Sequence, residues 1–424
     1  MSFAALSIAI ALLAGGAPVD FSLDVTDFGA TPDASSDSTK AFQSALDKAA
    51  ANGAVVRVPP GQYRFDGVLS IPEGVTLEGT WRGPHTSQLD KGSTLLACAG
   101  RDKEDSAPFI SLRTAGTVKG LTIFYPEQKP TDVRPYPWTI QGRGQHFNVI
   151  DVVICNAYNG IDCGTYHNEG HHLRNVHMCA LRRGVFIDQT TDIGRLENVH
   201  IHNVYWWRVS APYTPTAEEN AAMERYTLAN LEGFIIGRTD WEYISNCFVI
   251  WPKVGFLFIE TSREGRAGGK PNVLITQSGS DIGPLAVKVE STQGHAGIAF
   301  ENCQFMAGVE IAPQNVGPVK FANCGFWGGP GSGSHVVNAG SGTVFLSACH
   351  FNRWAADRPC VEFTDGTLLM TGCDFVQIDG DPVHVRLRQS VKAASMVGNS
   401  SQGVDLTVVN ESAGDVKLVG NVRR

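Results

Sequence analysis

The chain has 424 residues, 34 basic and 42 acidic, so charged side chains make up 18% of it, against roughly 25% in an ordinary soluble protein. A formal charge of −8 leaves no basic surface for nucleic acid or an anionic membrane, and 43% hydrophobic content without a Gly-X-Y period excludes disordered and collagen-like chains. With 46 Gly and 21 Pro the chain is rich in turns, and its length suits several ordinary domains or one architecture that grows by repetition.

In chain order, the first feature is the apolar run 3–14, followed by Gly15, Gly16 and Ala17. It is shorter than a membrane span of ~20 residues and matches the core of a signal peptide. Residues 1–17 are therefore expected to be a signal peptide and the product secreted or periplasmic. The alternative is a merely apolar tail, since no Lys or Arg precedes the run. No later segment is a membrane candidate. Next come Val25-Thr-Asp-Phe-Gly-Ala30 and Asp37-Ser-Thr-Lys-Ala-Phe-Gln-Ser-Ala-Leu46, then Val55-Val-Arg-Val-Pro-Pro-Gly-Gln-Tyr63. Asp37 or Ser38 is placed to cap an amphipathic helix ending at Gly53, before an apolar strand and a Pro-Gly turn.

From residue 151 the chain repeats. Asp151, Asn175, Asn198 and Asn246-Cys247 each precede a short β-branched run, with steps of 24 and 23 residues between the first three. Gly160-Ile161, Gly184-Val185, Gly233-Phe234 and Gly255-Phe256 form a second column in the same register. The long step from Gly184 to Gly233 marks an insertion near 206–231, helical at 217–228 by composition. Later, Cys303, Cys324, Cys349 and Cys373 recur in related tetrapeptides at steps of 21, 25 and 24. Such a period predicts a solenoid of stacked parallel strands, so 18–424 is expected to be one domain. In matching slots Asn would bond the turn backbone and Cys would pack inside; the spacing assigns no disulfide and no metal site. A helix near residue 40 would cover the open first coil.

The strings within residues 23–80 resemble the opening of the pectate-lyase-like superfamily, which includes polygalacturonases, rhamnogalacturonases, glucanases and polysaccharide lyases. That resemblance implies an all-β, single-stranded right-handed parallel β-helix with an N-terminal capping helix, and a carbohydrate polymer as ligand. The paired Asp-Asp, Gly-His-Gly and Arg-Ile-Lys motifs of polygalacturonases are absent from the sequence, as is the Asp-Pro-His string of alginate epimerases.

Counting back six residues from successive turn Asn gives Glu169, Asp192 and Asp240 in one slot. Stacked carboxylates disfavour joint ionisation, which suits acid/base attack on a glycosidic bond. A Ca²⁺ site or a solvated acidic surface are the alternatives. Strand alternation would point Arg238, Asp240 and Glu242 to one face and Trp241 to the other, with Asp188, Asp192, Arg195 and Glu197 on the coil before. Asp240, Glu242, Asp192 and Asp188 are thus the catalytic candidates. Arg238, Arg195 and Glu169, with Trp138, Trp206, Trp207 and Trp241 as stacking walls, are the substrate-binding candidates. His177, His200 and His202 could share a face, either as a ladder or as a metal site.

Past residue 300 the coils read as scaffold or an oligomer surface. The expected activity is glycoside hydrolysis of a polysaccharide or oligosaccharide without a cofactor. The alternatives are a uronate lyase, with Ca²⁺ neutralising the acid, and a non-catalytic glycan-binding or structural β-helix.

Overall fold

In the computed structural model, residues 22–424 are described apart from 82, 84–87, 264–265, 329–332 and 378–379. The apolar run 3–14, and with it the signal-peptide expectation, lies outside them. The described chain winds through three parallel sheets. The first contains Thr117–Lys119 and the segments 148–150, 172–174, 195–197 and 242–245. The second contains Thr122–Phe124 and segments 152–154, 176–178 and 199–201, then Phe248–Ile250. The third contains Trp138–Gly142, segments 159–163 and 183–187, then Glu232–Ile236 and Val254–Phe258. Every coil hydrogen-bonds to the next in parallel, so the architecture is a parallel β-helix.

The core is a set of in-register ladders. Val118, Val149, Leu173, Leu196, Ile244 and Ile275 pair in succession along the first sheet, all buried. Phe326, Phe351 and Phe375 stack with ring centroids 4.7 and 4.8 Å apart, the spacing of hydrogen-bonded strands. The cysteine repeat has the same cause. Cys247, Cys303, Cys324, Cys349 and Cys373 are buried one per coil, and all ten cysteines are free thiols.

The turn from the first sheet to the second explains the asparagines. Asp151, Asn175, Asn198, Asn246, Asn302 and Asn323 all have φ between 51° and 55°, the left-handed region that Asn tolerates better than most residues. Their side chains bond each other across coils: Asn175 Nδ2 donates to Asp151 at 2.8 Å and Asn198 to Asn175 at 2.9 Å. The glycine column opens the third sheet, where a Cβ on Gly160 or Gly184 would strike the carbonyl oxygen of the next coil's glycine.

Helix α1, Thr39–Ala49, buries Phe42 edge-on to Tyr63 and Phe65, 5.2 and 4.9 Å between centroids. Asp37, not Ser38, accepts the Thr39 N–H at 3.0 Å, and the helix stops short of Gly53. Between the second and third sheets the chain departs into α2, Val204–Trp207, and α3, Ala217–Asn230. Thr216 and Glu219 close a reciprocal capping box, and Met223 and Thr227 pin α3 to Cys179 and Asn203.

Candidate functional site

The turns from the third sheet to the first bring Glu169 and Asp192 together on successive coils. With His146, Gly170, Ile193 and Arg195 they line an open cleft of about 220 Å³. Thr191 Oγ1 donates to Glu169 at 3.3 Å, His146 Nε2 stands 3.8 Å from Glu169 Oε1, and the Ile193 amide donates to Asp192 at 3.0 Å. Gly170 is required there, because φ is 62° and a Cβ would overlap the His146 ring. Asp192 and Arg195 are exposed. Two carboxyls, a guanidinium and an imidazole therefore share one solvent-open site.

Asp240 stands on the next coil but outside this cleft. Arg238 Nη2 bonds it at 2.7 Å and Gln293 Nε2 at 3.1 Å. The expectation that Arg238, Asp240 and Glu242 share a face fails. The ladder slips between Thr239 and Glu242, a bulge that turns Asp240 outward and Glu242 inward, with Trp241 and Tyr243 exposed on either side of Glu242. Glu242 is fully buried and its Oε1 lies 3.0 Å from His171 Nε2. The Asn168 amide donates to the carbonyls of Cys163, Tyr166 and Asp188, so its Oδ1 is an acceptor and His171 Nδ1, 2.8 Å away, carries a hydrogen. The contact of His171 Nε2 with Glu242 closes this buried hydrogen-bonded chain. Asp188 is also buried, taking the Arg238 N–H at 2.8 Å and the Thr261 hydroxyl at 2.7 Å. It ties three coils together.

The candidate acids and the candidate aromatic walls do not meet in one place but fall in two. The loop leaves from the opposite end of the third-sheet strands. Its Trp206 and Tyr213 line, with Phe124, Gln128 and Lys129, a separate pocket of about 350 Å³. Trp206 is almost wholly buried, and Trp207 packs on Trp251 and His202 at 5.1 and 5.8 Å. Trp138 is nearly buried beneath the Arg183 guanidinium, 4.4 Å from its ring. His177 and His200 pair in register, His200 Nδ1 meets the Tyr205 hydroxyl at 2.6 Å, and His202 Nδ1 accepts the Val204 amide at 2.7 Å. Among the described residues no group of three His, Cys, Asp or Glu side chains is arranged to hold a metal ion.

A polar network on the outer face of the third sheet went unread in the sequence. Glu104 binds both Arg182 and Arg183, Asn159 accepts Arg183 Nε at 2.9 Å, and burial lowers the Arg183 pKa. Nearby, Gln141 joins Arg143 to the buried Asp162. Asn159 and Arg183 each precede a glycine of the second column, the one sequence signal available. Glu104 lies over fifty residues away in a loop that carries no repeat.

These features define a protein of the parallel β-helix class with an acidic cleft on one ridge. Residues 22–205 match the family described as Rhamnogalacturonase A/epimerase, pectate lyase-like, a match that ends where the insertion begins. The resemblance to pectate-lyase-like proteins thus stands. Mannuronan C5-epimerase AlgE6 of Azotobacter vinelandii is 41% identical over 78 residues, 16% of this chain and only 9% of that protein. The N-terminal fragment of bacteriophage Phi29 gene product 12 superposes with a TM-score of 0.65 at 13% identity, covering 94% of this chain and 70% of that one. The AlgE6 A-module covers 95% and 99% respectively with a TM-score of 0.47 at 15% identity. No described helix is long and apolar enough to cross a membrane.

Proposed function

We propose that the chain is a carbohydrate-active enzyme acting outside the cytoplasm, and that it hydrolyses glycosidic bonds in the cleft of Glu169 and Asp192. The observation that carries this reading is the placement of these carboxyls on successive coils, lining one open cleft. In such a site one carboxyl, protonated, assists the leaving group while the other, ionised, activates water or attacks the sugar. Arg195 and His146 orient the substrate. Asp240, paired with Arg238, borders the site; Glu242 and Asp188 act by holding the turns. The rhamnogalacturonase named in the matching family supports a polysaccharide substrate. Incubating the protein with a polysaccharide panel and weighing the products tests this. Glu169→Gln and Asp192→Asn should each lower turnover at least a hundredfold, and products lacking the added water would refute hydrolysis.

The second reading is proton abstraction beside a uronate carboxylate, with Arg195 binding the acid and His146 as base. The short match to a mannuronan C5-epimerase favours it. Unsaturated products would identify elimination. Solvent deuterium taken up by an uncut polymer would identify epimerisation.

A further inference from the structure

The cleft does not end at Arg195. Parallel pairing sets Gly194 against Glu242 and Arg195 against Tyr243, so Tyr243 stands on the next coil beside Arg195 of the cleft wall. Tyr243 pairs in turn with Leu274. The bulge that buries Glu242 leaves Trp241 56%, Tyr243 36% and Leu274 51% exposed. Three large side chains thus continue the cleft wall over two coils. The ion pair of Arg238 and Asp240, braced by Gln293, borders the strip with polar groups of both signs.

We propose that Trp241, Tyr243 and Leu274 form a stacking strip that holds an extended polysaccharide along the solenoid axis, with the cleft of Glu169 and Asp192 at one end of the track. This rests on the carbohydrate reading of that cleft and adds the ligand's direction and length. Sugar rings present apolar C–H faces to aromatic rings and hydroxyls to a mixed polar rim. Successive coils stand ~4.8 Å apart, so an extended chain lying along the axis meets a new coil at about each sugar. A short ligand seated at Glu169 and Asp192 does not reach Leu274.

The test compares the full chain with Trp241→Ala and Tyr243→Ala in gels cast with polymannuronate, polygalacturonate or α-1,3-glucan, with the matching disaccharides as competitors. Retention on the polymer that binds best should weaken roughly 2- to 12-fold per ring removed, with a smaller loss of disaccharide affinity. Glu169→Gln should lose turnover and keep polymer retention. If both aromatic variants bind polymer like the parent while Glu169→Gln is inactive, the strip is refuted and the cleft reading survives. If the parent neither retains nor alters any of the polymers, both fall. If the variants instead turn a dimer into monomers in sedimentation with retention unchanged, the strip is a subunit contact and the proposal fails.

Discussion

Glu242 shows how one backbone irregularity changes a side chain's role. Alternation from Arg238 points it at solvent, and nothing in Arg238-Thr-Asp-Trp-Glu242 marks the bulge that points it inward. Once inside, it meets His171, which stacks on Phe147 with ring centroids 5.8 Å apart, and Gly194 leaves the room both need. Removing one member of a buried hydrogen-bonded pair leaves the other unsatisfied, typically at a cost of about 1–3 kcal/mol. Glu242→Ala should therefore lower stability by that order, measured by denaturant unfolding. Glu242→Gln, which can still donate to His171 Nε2, should be distinctly milder. An alanine variant as stable as the parent but without activity would return Glu242 to the catalytic set. Asp188 belongs to the same kind, since its charge satisfies turn donors and does not face the cleft. Glu169 and Asp192 follow from the coil register alone, whereas the placement of Asp240, Asp188 and Glu242 depends on the bulge after Thr239 and on turn geometry.

Among the elements, the left-handed turn carries the repeat. Its residue is Gly120 at φ 70° in the coil before Asp151, then Asp or Asn with Gln277 and Ala348 once each, and Gly372, Gly398 and Gly420 at φ near 64° in the last coils. The asparagine and cysteine columns could be read from sequence because each coil repeats the same backbone demand. The inserted segment could be located but not oriented, because whether Trp206 faces a groove or the core depends on how α3 docks through Met223 and Thr227. A Cβ in this region costs about 1–2 kcal/mol for residues other than Gly and, more mildly, Asn or Asp. Asn198→Ala should thus destabilise by about 1–2 kcal/mol, with the loss of its amide bond to Asn175 adding to the strain. Ala348, at φ 51° and exposed, is the converse case. Ala348→Asn should raise stability by about 1 kcal/mol, relieving strain and extending the ladder past Asn323, whose Nδ2 already bonds Asn302. A melting temperature unchanged in both variants would show that the ladder follows from the fold and does not support it.

Taken as a whole, the molecule differs along its axis in a way that acid should reveal. Ion pairs occur along the whole axis, and two nearly fully buried histidines whose charging burial disfavours lie in the C-terminal coils. His335 lies among Phe326, Phe351 and Trp354, and His384 between Trp354 and Phe375. His384 Nδ1 accepts the Thr407 amide at 3.0 Å, a bond made by the neutral ring. Burial pushes both pKa values down to about 4, from 6.5 in the open chain. Below pH 6.5 the unfolded chain takes up protons that the folded chain refuses, so stability is full above that value. It should fall as the pH drops towards 4, by about 3 kcal/mol per histidine at the lower limit. Because solenoid coils depend mainly on their neighbours, the loss should appear first at 320–424. Hydrogen exchange at pH 7 and 4.5 should show those coils opening in acid while 110–260 stays protected. His335→Gln combined with His384→Gln should flatten the pH dependence of the unfolding midpoint between 6.5 and 4. Equal exchange along both halves, or an unaltered slope in the double variant, would place the acid sensitivity elsewhere, with the carboxylates of the early coils as the next groups to test.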